Sequence, residues 1–70
     1  MPESRQDKVF EIFRAHGGKR LSTAALCREF KERTGEAISH AAMSGWLTAM
    51  AFRGDIRQHD LGVETEWSRP

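Results

Sequence analysis

Cysteine is nearly absent from this chain: among its 70 residues only Cys27 carries a thiol. One thiol cannot close an internal disulfide, so the core alone must hold the fold, and a reducing compartment is implied. Long hydrophobic runs are missing as well. No stretch of the sequence nears the ~18 apolar residues of a membrane span, and the N-terminus has no signal-peptide h-region. A soluble, cytoplasmic protein with no membrane partner is expected. His16, His40, His59 and Cys27 are scattered without ligand spacing, so no metal is expected. The sequence also lacks a nucleophile–base pair, a close carboxylate pair in a plausible cleft and a phosphate-cradling glycine loop. An enzyme, a cofactor and a small-molecule substrate are therefore not expected. Repeats, linkers and low-complexity tracts are absent too, so residues 1–70 are read as a single domain.

Charge of one sign is also in short supply. The net charge is +1, but residues 1–35 hold eight Lys/Arg against five acids and residues 36–70 three against five. A basic front and an acidic back follow, and the imbalance is mild. A chain this small buries only roughly 60% of its unfolded surface. Its large apolar side chains are needed for the core, with few to spare for a pocket.

The hydrophobic spacing is mainly helical. Ser4 and Asp7 mark the start of a first helix, 4–16, whose inner face is Val9, Ile12, Phe13 and His16; Gly17-Gly18 ends it. Lys19-Arg20-Leu21 has room for only a link or a brief strand. Ser22 or Thr23 caps a second helix, 22–34, with Thr23, Leu26, Cys27 and Phe30 on one face and Gly35 beyond its end. On its outer side Glu29 and Arg33 stand at i, i+4, a favourable order for an ion pair. The third helix, 39–52, is capped by Ser39. Met43, Trp46, Leu47 and Met50 fall at i, i+3, i+4, i+7, and Gly54 follows where a chain turns out of a helix. The period then changes to alternation. A hairpin over 56–67 turns at Asp60-Leu61-Gly62, with Val63, Thr65 and Trp67 packing and Glu64 and Glu66 wet. Ser68-Arg69-Pro70 reads as a frayed end.

Three helices followed by a hairpin, with Leu21 able to add a third strand, make a mainly α fold with a small sheet (α+β). The pattern Ile38-Ser39-x-x-x-Met43-x-x-x-Leu47-x-x-Met50-x-x-x-Gly54-x-Ile56 resembles the recognition helix and first wing strand of the winged helix-turn-helix DNA-binding superfamily, in its small prokaryotic, phage or plasmid form. The resemblance covers nearly the whole chain. It implies a transcriptional regulator or DNA-processing accessory factor that lays its third helix in the major groove of double-stranded DNA. The residues then turned toward bases are His40, Ala41, Ser44 and Thr48, with Gly45 among them; Ala41 suits a thymine methyl. Phosphate contacts would come from Lys19, Arg20, Ser22, Thr23, Arg28, Lys31, Arg53, Arg57 and His59. A single module covers roughly 600–1,000 Å² of its own surface, so specificity calls for a homodimer or another partner.

A second reading is a winged helix used for protein–protein contact. The third helix has no Lys or Arg before Arg53, the wing carries Asp60, Glu64 and Glu66, and Phe52 projects opposite the Met43/Leu47 stripe: either the helix ends before it and it folds inward, or it is exposed as a candidate partner contact. Other residues read as structural. Cys27 lies beside Leu26 and Phe30 as a buried thiol, Trp46 belongs to the core, and Trp67 closes the core against the first helix. His16 suits a helix C-terminus. Gly45, in mid-helix, costs about 1 kcal/mol relative to alanine.

Overall fold

The structure, a computed structural model, describes residues 5–70. In chain order it contains α1 (Arg5–Ala15), β1 (Leu21–Ser22), α2 (Thr23–Thr34), α3 (His40–Phe52), β2 (Arg57–Asp60) and β3 (Thr65–Ser68). The strands form one antiparallel sheet in the order β1-β3-β2. Three helices with this sheet are an α+β arrangement consistent with a winged helix. The expected Ser4 cap lies outside the described residues.

Each helix buries one stripe. Val9, Ile12 and Phe13 of α1, Leu26 and Phe30 of α2, and Met43, Leu47 and Met50 of α3 are all essentially inaccessible to solvent. Each such side chain contributes about 1.5–3 kcal/mol of transfer free energy. Ser22 and Ser39 are in extended conformation, and their hydroxyl oxygens accept the Ala25 and Ala42 N–H groups, each at 3.1 Å. These are N-caps that satisfy donors the helices cannot. At the other end of α3, Gly54 takes φ +84°, the Asp55 N–H donates to the Met50 carbonyl at 2.9 Å and the Gly54 N–H to Ala51 at 3.0 Å. This paired closure needs a left-handed residue, which glycine supplies without a Cβ penalty.

Polar and aromatic contacts around the core also tie the helices together. His16, just past the end of α1, places Nε2 2.6 Å from Glu29 Oε1 of α2. Glu29 in turn meets Arg33 at 3.9 Å. Trp46 is half-buried, with Phe30 edge-on at 5.8 Å and the Arg5 guanidinium 5.0 Å from its ring centre. Arg5 also pairs with Glu36 at 3.1 Å, which ties the start of α1 to the link before α3.

The sheet differs from expectation in register. Gly62 N–H donates to Asp60 Oδ1 at 2.9 Å and Leu61 N–H to the Glu64 carbonyl at 3.0 Å, so the loop takes up residues 61–64. Val63 is therefore a loop residue, 96% exposed, and not a packing position. Burial does not alternate along β3 either: Thr65 and Glu66 are both half-buried, and Trp67 and Ser68 both buried. The strand then runs on through Ser68, which is buried instead of frayed and whose Oγ lies 2.7 Å from His59 Nε2. Trp67 sits in the central strand, opposite Leu21 on one side and Gln58 on the other.

Candidate nucleic-acid interface

The inner stripe of α3 leaves an outer one. Ala41, Gly45, Thr48 and Phe52 recur at i, i+4, i+7 and i+11, and all four are exposed. No part of the described chain covers them. Gly45 is the plainest case, since a Cβ built there meets nothing within 4 Å. The fold itself does not require glycine at that position. Phe52 is 93% exposed at the end of the same stripe, which resolves its placement: it does not fold inward.

The expected base-facing residues are divided by this geometry. His40, Ala41 and Thr48 are exposed, whereas Ser44 is half-buried. His40 and Ser44 share a depression of ≈ 230 Å³ with Ser22, Ala24 and the wing residues Val63 and Glu64. The wing thus stands beside the first turns of α3 and brings a carboxylate there. Thr48 Oγ1 donates to the Ser44 carbonyl at 2.8 Å, the back-bonding common for threonine in a helix. Its proton is spent inside the helix.

The expected phosphate contacts separate more sharply. Thr23 differs from expectation: it is 4% exposed and its Oγ1 accepts the Trp67 indole N–H at 2.8 Å, so its side chain belongs to the core, at the floor of the depression shared with His40 and Ser44. Ser22 is half-buried, its hydroxyl oxygen committed to capping α2. Arg53 lies 3.4 Å from Asp55, and His59 is held by Ser68. Lys19, Arg20, Arg28, Lys31 and Arg57 remain: all are exposed, and no ion pair or side-chain hydrogen bond holds them among the described residues.

Their placement follows from local structure. Arg28 and Lys31 stand at i+4 and i+7 from Ala24, on one face of α2, and Ala24 lines the depression shared with His40 and Ser44. Arg28 and Lys31 themselves lie further along α2, the helix that packs against α3. Arg57 lies on β2: with Gln58 and His59 it lines a groove of ≈ 700 Å³ whose opposite wall is Thr48, Ala51 and Phe52. Lys19 and Arg20 precede β1. A side of α3 further round, with Trp46 and Ala49, opens into a hollow of ≈ 750 Å³ under Arg5, Gln6 and Glu36.

Cys27 is half-buried, with Sγ 3.9 Å from the Ser39 carbonyl. Burial pushes its thiol pKa up, which disfavours the reactive thiolate. Sequence reasoning missed three features here: the Trp67–Thr23 bond, the approach of Glu64 to α3, and the bare wing tip of Leu61 and Val63. Only the Asp60–Gly62 turn chemistry could have hinted at the last. Comparison of the chain with protein-family models, curated proteins and solved structures finds no match. No helix among the described residues is long and apolar enough to cross a membrane.

Proposed function

We propose that this protein is a small winged-helix DNA-binding protein, a transcriptional regulator or DNA-processing accessory factor, that lays the outer face of α3 in the major groove. The observation that carries the reading is a pairing of surfaces. The outer stripe of α3 is uncovered and holds no carboxylate, while the exposed Arg28 and Lys31 stand on α2 and Arg57 on β2, two elements that pack against α3, with no partner among the described residues. An exposed helix face with cations on the elements packed against it suits a duplex, because phosphate contacts position the protein while groove contacts specify sequence. Lys19 and Arg20 add two further cations before β1. Ser22, Thr23, Arg53 and His59 take no part in the proposal. A DNA partner implies the cytoplasm, where a lone cysteine also stays reduced.

Titration of a mixed-sequence duplex at two salt concentrations tests the proposal. Each phosphate neutralised contributes about −0.9 to the slope of log affinity against log salt. A slope corresponding to several phosphates is expected. Absence of binding at low salt would end the DNA reading.

One observation favours a second reading, a protein–protein module. Phe52 and Val63 are 93% and 96% exposed, large apolar side chains that stand at the last residue of α3 and beside its first turns. On that reading α3 would dock on a protein partner and the salt dependence would be shallow.

A further inference from the structure

A recognition helix that reads guanine or adenine carries side chains able to grip two atoms of a base edge: Arg or Lys for guanine, Asn or Gln for adenine, and Asp or Glu for the cytosine amino group. From His40 to Phe52, α3 has none of these six residue types. Its hydrogen-bonding side chains are His40, Ser44, Thr48 and, off the outer stripe, the half-buried Trp46. Ser44 is half-buried beside the wing, and the Thr48 hydroxyl donates to the Ser44 carbonyl. With that proton engaged, Thr48 offers an outside partner its methyl group and a hydroxyl oxygen that can only accept. Ala41 offers a methyl and Phe52 an exposed ring. Short side chains reach base edges only if the helix comes close, and the open, side-chain-free Gly45 at the centre of this stripe permits that approach.

The major groove presents one apolar feature among its donors and acceptors, the C5-methyl of thymine. A methyl-bearing, donor-poor helix with unpaired cations on the elements packed against it is complementary to a duplex whose groove is lined by such methyls. We propose that α3 selects DNA by thymine methyl groups, with Ala41 and Thr48 as the principal contacts and Phe52 extending the apolar strip. This inference rests on the DNA-binding reading above.

The test compares two short alternating duplexes that differ only in that methyl, one of dA and dT and one with uracil in place of every thymine. Phosphates and hydrogen-bonding edges are the same in both. The full chain is expected to bind the thymine duplex more tightly, by about four-fold for each methyl contacted, the equivalent of burying one methyl-sized group. Thr48→Ser, which removes the methyl and keeps the hydroxyl, should shrink the thymine-to-uracil ratio. Thr48→Val, which keeps methyls and removes the hydroxyl, should preserve it. Equal, salt-dependent affinity for both duplexes would overturn the methyl inference and leave the DNA reading standing. So would binding to a mixed-sequence duplex without binding to the thymine one. No binding to any duplex at low salt would remove both.

Discussion

The Trp67 indole N–H donates to Thr23 Oγ1 at 2.8 Å, joining two residues 44 positions apart. Trp67 lies in the central strand and Thr23 begins α2. The bond fastens the sheet to the helix that also carries Arg28 and Lys31. It satisfies a buried indole donor, and among the described residues no buried side-chain polar atom lacks a partner. The wing, and with it Glu64, is thereby held against the helices that frame α3.

Thr23→Val keeps the volume and deletes the acceptor. The stranded indole N–H should cost about 1–3 kcal/mol. Urea unfolding followed by tryptophan fluorescence measures the loss, and Thr23→Ser should recover most of it. Because Thr23 is buried, DNA affinity of the folded variant should not change. A specific loss of affinity at full stability would restore Thr23 to the phosphate set.

Gly45→Ala should stabilise the protein by about 1 kcal/mol, since alanine is the better helix former and the space around Gly45 is open. For a domain of this size the melting temperature would rise by roughly 4–8 °C. DNA affinity should fall in the same variant, because the added methyl stands on the proposed contact face. A variant that is both more stable and equally tight would show that the partner does not approach Gly45.

Lys31→Glu combined with Arg57→Glu reverses charge on α2 and β2, two elements that pack against α3. Neither side chain has a partner among the described residues, so far-UV circular dichroism and melting should stay close to those of the parent protein. Binding to duplex DNA should be abolished. Affinity that survives this double change would remove the proposed orientation on the duplex.

Glu64 stands beside His40 and Ser44, where a phosphate or a base edge would approach. Glu64→Gln should tighten DNA binding, with the gain larger at low salt than at high salt because exposed charges are screened within about 10 Å at 0.1 M. Under the protein-partner reading the same change should have no salt-dependent effect, and isothermal titration distinguishes the two.

Cys27 should react slowly with a disulfide reagent at neutral pH. Its pKa is raised by burial, so the thiolate fraction at any given pH is below that of an ordinary cysteine. The rate in the native protein should rise at higher pH than it does for the unfolded chain, in which ordinary reactivity is restored. Fast native-state labelling at pH 7 would contradict the burial of this thiol.

The sequence by itself determined the local architecture. Ser22 and Ser39 before apolar stripes, and glycines after them, mark helix ends because capping depends on residues a few positions apart. The stripe Met43, Leu47, Met50 was legible for the same reason, since a helix of known pitch sets its own inner face. Tertiary structure alone decided what each polar group is for. Thr23 looks like a surface hydroxyl at a helix start until Trp67 arrives from the far end of the chain to claim it. Val63 looks like a packing position until the Asp60–Gly62 turn moves the start of the strand. Which cations stay unpaired, and that Glu64 comes to rest by His40, depend on contacts between residues distant in sequence, where no periodicity reaches.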